Sequence, residues 1–202
     1  MKALRRAVCC VVLLLVIVSV VHTGIVWIAS YSLFRKAAAG SLLTRGGLVV
    51  GSRLIGQSFT GEAYFHPRPS VAGNGYDALR SGATNLGPTN PRLLYTVSDL
   101  ARAYRQTNLL SEDTPLPVDA VTHSGSGLDP HISVDNARLQ ARRVARARAL
   151  ETHVVRSLIE SLIEPADLGL FGEPRVNVLV LNLALDELAP QRQARRAGAA
   201  LP

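Results

Sequence analysis

Cysteine is nearly missing from this chain: among 202 residues only Cys9 and Cys10 occur, side by side in an apolar run. Two neighbours exclude a disulfide framework, and they exclude a zinc site built on paired Cys-x-x-Cys units. The rest of the chain, free of cysteine, suits an oxidising compartment. Gly-x-x-x-x-Gly-Lys-Ser/Thr is absent, which excludes a standard phosphate loop. No Gly-x-Ser-x-Gly elbow occurs either. Ser124, Ser126, Asp129 and His131 are neighbours in one loop, whereas a hydrolytic triad needs its base brought in by the fold. His66, His123 and His131 with Asp129 fit no metal-ligand spacing. There is no internal repeat.

Excess positive charge is also missing from the body of the chain, despite a formal net charge of +7. Lys2, Arg5, Arg6, Arg35, Lys36, Arg192, Arg195 and Arg196 lie at the ends or beside the apolar run, which leaves 14 basic against 15 acidic residues in 37–190. Nucleic-acid binding needs a basic patch on the domain itself, and only the row Arg138–Arg148 offers local support, so no nucleic-acid partner is expected.

Ala7 to Ser30 holds no charged residue. A membrane span needs about 20 apolar residues, and a secretory signal has a core of about 7–15 followed by a small-residue cleavage site. Arg35 and Lys36 separate this run from Ala37-Ala38-Ala39, so the reading is an uncleaved anchor embedded in the lipid bilayer through residues 7–30. Trp27 and Tyr31 sit at its far end, where aromatic side chains prefer the interface. Lys2, Arg5, Arg6 and the terminal amine outnumber Arg35 and Lys36, which predicts a cytoplasmic N-terminus and an external domain. His22 lies inside the span. It reads either as a functional intramembrane group or as a neutral residue bonded to a neighbouring helix near the outer interface.

The pattern divides the chain into an N-terminal transmembrane anchor, 1–36, an extracytoplasmic domain, 37–190, and a flexible basic tail, 191–202. The expected class is α+β, with a small sheet and about three helices in one mixed domain. Leu48-Val49-Val50, Arg53-Leu54-Ile55, Tyr64-Phe65 and Val118–Thr122 read as strands. Residues 66–91, rich in Pro, Gly, Asn and Ser, read as a long loop kept ordered by Tyr76, Leu79 and Leu86. Asn90-Pro91 opens a helix to about Asn108. Thr152 is a candidate cap for a helix ending at Glu164-Pro165. Arg175 to Ala184, RVNVLVLNLA, reads as a strand buried on both faces.

Thr122 to Arg148 organises the rest. Ser124-Gly125-Ser126-Gly127 is a polar, permissive loop. Asp129-Pro130 turns the chain, Ser133 stands at an expected N-cap, and Val134, Ala137, Ala141, Val144 and Ala145 recur at helical spacing. Arg138, Arg142 and Arg146 line another face. Such a loop before a helix is either an anion cradle of free amides or a tight, packed connection.

The segments GSRLIGQSF (51–59), YFHPRPS (64–70), SGATNLGPTNP (81–91), VTHSGSGLDPHIS (121–133), QARRVARAR (140–148) and PRVNVLVLNLALD (174–186) resemble the C subunit family (KdpC) of the Kdp potassium-transporting ATPase. They follow the family's order and cover nearly the whole chain; His123 and Ala83-Thr84 are small departures. The resemblance implies a complex with a channel-like A subunit, a P-type ATPase B subunit and a small F subunit, in the bacterial inner membrane, pumping potassium inward at the expense of ATP. The Asp-Lys-Thr-Gly phosphorylation site is absent here. The implied role is a non-phosphorylated accessory subunit, described as a catalytic chaperone that raises the ATP affinity of the B subunit, and no enzyme on its own. ATP is cytoplasmic and the charge bias puts the domain outside, which favours an indirect effect. The alternative is a regulatory subunit that holds ATP as its ligand through Ser124, Gly125, Ser126, Gly127, Gln140 and Arg143. Gln140 and Arg143 fall in the segment resembling the family's Gln-x-x-Arg-Val-Ala motif.

Overall fold

Lys2–Leu33 forms one apolar helix, as a run of Val, Leu and Ile with no charge after Arg6 dictates in lipid. It comprises α1 (Lys2–Val16), a π-helical stretch Ile17–His22 and α2 (Thr23–Leu33). It is long and apolar enough to cross a membrane, and none of it is buried against the protein. The computed structural model describes residues 1–198, with side chains through Leu188. The chain divides into two compact units, Met1–Ser52 and Arg53–Pro202.

In the first unit the short helix α3 (Arg35–Ala38) leads to an antiparallel hairpin of β1 (Leu42–Arg45) and β2 (Leu48–Ser52). Gly46 and Gly47 take φ of 57° and 82°, the left-handed pair that a two-residue hairpin turn requires. Ser52 Oγ donates to the Gly40 carbonyl at 2.7 Å, closing the base.

The second unit is built on α4 (Pro91–Asn108), α5 (Val118–Val121), β3 (His131–Ser133), α6 (Val134–Ala147), α7 (Thr152–Ser161), β4 (Ile163–Glu164), β5 (Arg175–Asn177) and α8 (Val178–Gly198). Its sheet runs β3-β5-β4, both pairs antiparallel. Ala137, Ala141, Val144 and Ala145 of α6 form the face that meets Val155 and Ile159 of α7 and Val178, Leu181 and Leu185 of α8, with Phe65, Ile132 and Val176 closing the core. Three alanines on one face let the neighbouring elements approach closely. Asn90 caps α4, its side chain accepting from the Arg92 amide at 2.9 Å, and Ser133 caps α6, accepting from the Asn136 amide at 3.1 Å.

Four expected strands differ. Val118–Thr122 is a single helical turn: Pro117 sets its entry at φ −60°, and Thr122 Oγ1 bonds back to the Val118 carbonyl at 2.7 Å. Arg53-Leu54-Ile55 is turn and bend. RVNVLVLNLA is strand only over Arg175–Asn177. There Asn177 Oδ1 accepts from the Val180 amide at 3.2 Å, a cap that converts the chain to helix. Tyr64-Phe65 joins no sheet: the Tyr64 amide bonds the Gly61 carbonyl and its carbonyl accepts from Arg143, while the Asn182 side chain takes both backbone groups of Phe65. At the start of α7 the cap position belongs to Glu151, without a side-chain cap bond, and Thr152 is its first residue. The basic tail expected over 191–202 falls where no side chain is described; residues 199–202 lie outside the described residues altogether.

Candidate functional site

Gln140 and Arg143 come together on the inner side of α6, Arg143 Nη2 donating to Gln140 Oε1 at 2.9 Å. They belong to a buried polar ladder beside the apolar face. Gln140 Nε2 donates to Asn136 Oδ1 (2.8 Å) and to the His66 carbonyl (3.0 Å), while Gln140 Oε1 accepts from the His66 amide (2.7 Å). Arg143 Nε donates to Asn108 Oδ1 (3.0 Å), and its Nη1 to the Glu62 and Tyr64 carbonyls (2.6 and 2.9 Å). Gln140 is 1% and Arg143 2% exposed. Burial lowers the Arg143 guanidinium from its ordinary value, while Tyr104 and Glu62 pull it up; arginine stays charged regardless. Four of its five N–H donors are spent on its own chain.

The next residue along the same segment is gripped from the other side. Asn182 of α8 accepts from the Phe65 amide at 2.8 Å and donates to the Phe65 carbonyl at 3.0 Å. Phe65 and His66 thus have their backbone groups paired as in a strand, but with amide side chains of two helices. Arg148 adds bonds to the Ala63 carbonyl (2.6 Å) and Asp186 (2.8 Å), and stands 4.6 Å over the Tyr64 ring. Asn182 was not singled out in the sequence, and Arg148 only as the end of the basic row. The signal for Asn182 was a lone amide among apolar residues at helical spacing, hidden by the strand reading.

The Ser124–Gly127 loop is held by a different stretch. Gly127 has φ +69°, and a Cβ there would meet Ala72 Cβ at 2.8 Å and the Gly82 carbonyl at 2.8 Å. Its carbonyl accepts from Ser70 Oγ at 2.5 Å. The Ser126 carbonyl accepts from the Gly82 amide and Ser81 Oγ, both at 2.9 Å, and Ser126 Oγ accepts from the Leu128 amide. Ser124 is buried, and Gly125 is open to solvent. Strand β3 separates the loop from α6. The helix start already carries an anion of this chain: Asp119 accepts from the Ser133 amide and hydroxyl and from Asn136 Nδ2, at 2.9, 2.7 and 2.8 Å. The six candidate residues therefore form two groups, each bonded to part of the 62–82 segment.

A groove of about 260 Å³ runs between that segment and α4, lined by His66, Arg68, Ser70, Tyr76, Tyr104 and Asn108 among others, and not by Ser124–Gly127, Gln140 or Arg143. Arg68 enters an ion pair with Asp129 at 2.9 Å. Burial pushes Asp129 up, but hydrogen bonds from His131 and Arg68 hold it below its usual range. Tyr76 bonds the Arg68 carbonyl, and burial raises its hydroxyl well above the usual range. The arginines of the outer row, Arg138, Arg142 and Arg146, are exposed as the helical spacing predicts.

A family model described as "K+-transporting ATPase, c chain" (KdpC) matches residues 4–187. The chain is similar to the "Potassium-transporting ATPase KdpC subunit" of Mycobacterium tuberculosis (strain ATCC 25618 / H37Rv), at 54% identity over 181 residues, covering 87% of this chain and 96% of that protein. It is likewise similar to the proteins of the same description from Rhodospirillum rubrum, 56% identical over 158 residues (78% and 81% covered), and Beijerinckia indica subsp. indica, 53% over 157 residues (78% and 79% covered).

Proposed function

This chain belongs to the KdpC family, the c chains of K+-transporting ATPases, and from that premise we propose that it is a single-pass accessory subunit of an inward potassium pump, acting by contact. It assembles with channel-like A, ATPase B and small F subunits in the bacterial inner membrane. Its N-terminus faces the cytoplasm and its folded unit lies outside, as the balance of Lys2, Arg5 and Arg6 against Arg35 and Lys36 favours. From there it stabilises the assembly and raises the ATP affinity of the B subunit indirectly.

The observation that carries the contact reading is the internal use of Gln140 and Arg143. A phosphate-binding arginine needs free, accessible donors, and these donors are bonded to Asn108, Glu62, Tyr64 and Gln140. The measurement is binding of labelled ATP to the full chain in detergent, up to millimolar concentration, wild type against Gln140→Ala and Arg143→Ala. No binding by the wild type is expected. Tight binding lost in both variants, with their fold intact, would transfer the function to direct nucleotide binding. Topology is read separately. A Ser126→Cys chain lacking Cys9 and Cys10 is expected to react with an impermeant thiol reagent in intact cells, since Ser126 is exposed.

A further inference from the structure

The turn between β4 and β5 presents three large apolar side chains to solvent: Leu168 is 93%, Leu170 78% and Phe171 62% exposed. It is a built feature. The Asp167 amide donates to the Phe171 carbonyl at 2.8 Å, the Phe171 amide returns a bond to the Asp167 carbonyl at 2.9 Å, and the Leu170 amide bonds the same carbonyl at 3.1 Å. Below it, Arg175 Nη2 donates to both carboxylate oxygens of Asp167, at 3.2 and 3.4 Å. Leu168 and Gly169 have φ of 56° and 72°, the left-handed pair that normally calls for Asn or Asp followed by Gly. Leu168 therefore bears two local costs at once, an unfavourable backbone and an exposed aliphatic side chain, and gains little packing from its own chain.

We propose that Leu168, Leu170 and Phe171 form a preorganised prong that plugs into an apolar pocket with a basic rim on another subunit of the pump. This rests on the reading that the chain is a pump subunit. Charge selects the occupant. Asp167 and Glu173 are exposed carboxylates on either side of the prong, and Asp167 is already paired with Arg175. Glu173 is repelled by an anionic bilayer surface, and it faces its own kind if a second copy docks symmetrically; a basic rim pairs with it. Rigidity argues the same way, since a shaped pocket rewards a fixed turn and lipid accepts any loop. One turn is too small to hold a complex by itself. Within a complex already tethered by the membrane helix it acts at high effective concentration.

The test is co-purification of the other subunits with the full-length chain, wild type against Leu168→Asn/Phe171→Ser, with thermal stability of each chain measured alongside. Asn fits the left-handed position better than Leu, so the variant fold is expected to be at least as stable. Recovery of partner subunits is expected to fall at least about tenfold, as removal of central anchors does. Leu79→Ser, which removes an isolated leucine 94% exposed elsewhere, is expected to leave recovery unchanged. Wild-type recovery by the double variant overturns the proposal, as does an equal loss with Leu79→Ser. Should the double variant melt early, Phe171→Trp in a Trp27→Phe chain decides. Its emission is expected to shift to the blue only on assembly. No shift, or a shift for the chain alone in phosphatidylcholine nanodiscs, overturns the prong; the latter assigns it to lipid. Failure of the wild-type chain to recover any subunit overturns the pump reading and the prong with it.

Discussion

At the residue scale, Gly127 and His66 make separable demands. Gly127 combines a left-handed backbone with a gap too small for a Cβ. Gly127→Val is expected to lower stability by about 2 kcal/mol or more, since the strain alone is worth about 1–3 kcal/mol and the contact with Ala72 adds to it. A melting curve of the full chain in detergent measures this, and a shift within error would mean that the loop yields freely. His66 is held below its usual value of 6.5 first by burial and then by the Arg143 charge, against a bond to the Gly61 carbonyl. A lowered folded value means that the unfolded chain takes up the proton first. The stability His66 contributes is complete above about 6.5 and is lost as pH falls from there toward the folded value. His66→Gln leaves the backbone clamp of Gln140 untouched and is expected to flatten the fall in melting temperature between pH 7 and pH 5. Equal slopes for the two chains would refute the assignment. His123, also lowered by burial, contributes with the same sign; Asp129 acts only below the usual carboxylate range.

Elements are set by caps as much as by hydrophobic pattern. Asn177 ends β5 and starts α8, with its Nδ2 donating to the Arg53 carbonyl at 2.8 Å and its Oδ1 accepting from the Val180 amide at 3.2 Å. Asn177→Ala is expected to cost about 1–2 kcal/mol: about 1 for the cap and up to about 1 for the part-buried hydrogen bond to the Arg53 carbonyl. Chemical denaturation of wild type and variant reads the difference, and a cost under about 0.5 kcal/mol would show the strand-to-helix change to be imposed by packing instead. The helices α4 and α6 were legible because Asn90-Pro91 and Ser133 announce their starts and their apolar spacing runs unbroken. RVNVLVLNLA was not, because Val and Leu at nearly every position satisfy the strand and helix periods together. The spacing of Val178, Leu181 and Leu185 decides it only once Asn177 is taken as a cap.

For the whole molecule, the apolar helix is the first requirement. A charged side chain at the centre of a span costs about 2.5–3.5 kcal/mol on insertion scales. Val16→Arg is therefore expected to release the chain from the membrane fraction and from its partners, as fractionation and co-purification would report. Retention at wild-type levels would place the span elsewhere or show that other subunits suffice to hold the chain.

The sequence by itself determined the long apolar helix, the starts of α4 and α6, the exposed arginine face and the family, because each rests on local periodicity, a cap or a contiguous motif. Tertiary structure alone decided what Gln140 and Arg143 hold. Spacing put them one turn apart, but their partners, Glu62, Tyr64, His66 and Asn108, come from segments distant in sequence. The same holds for Tyr64-Phe65, which follows a turn and lies outside any sheet. A buried backbone must find hydrogen bonds somewhere, and whether a strand or the amides of Asn182 and Gln140 supply them depends on which helices fold against it.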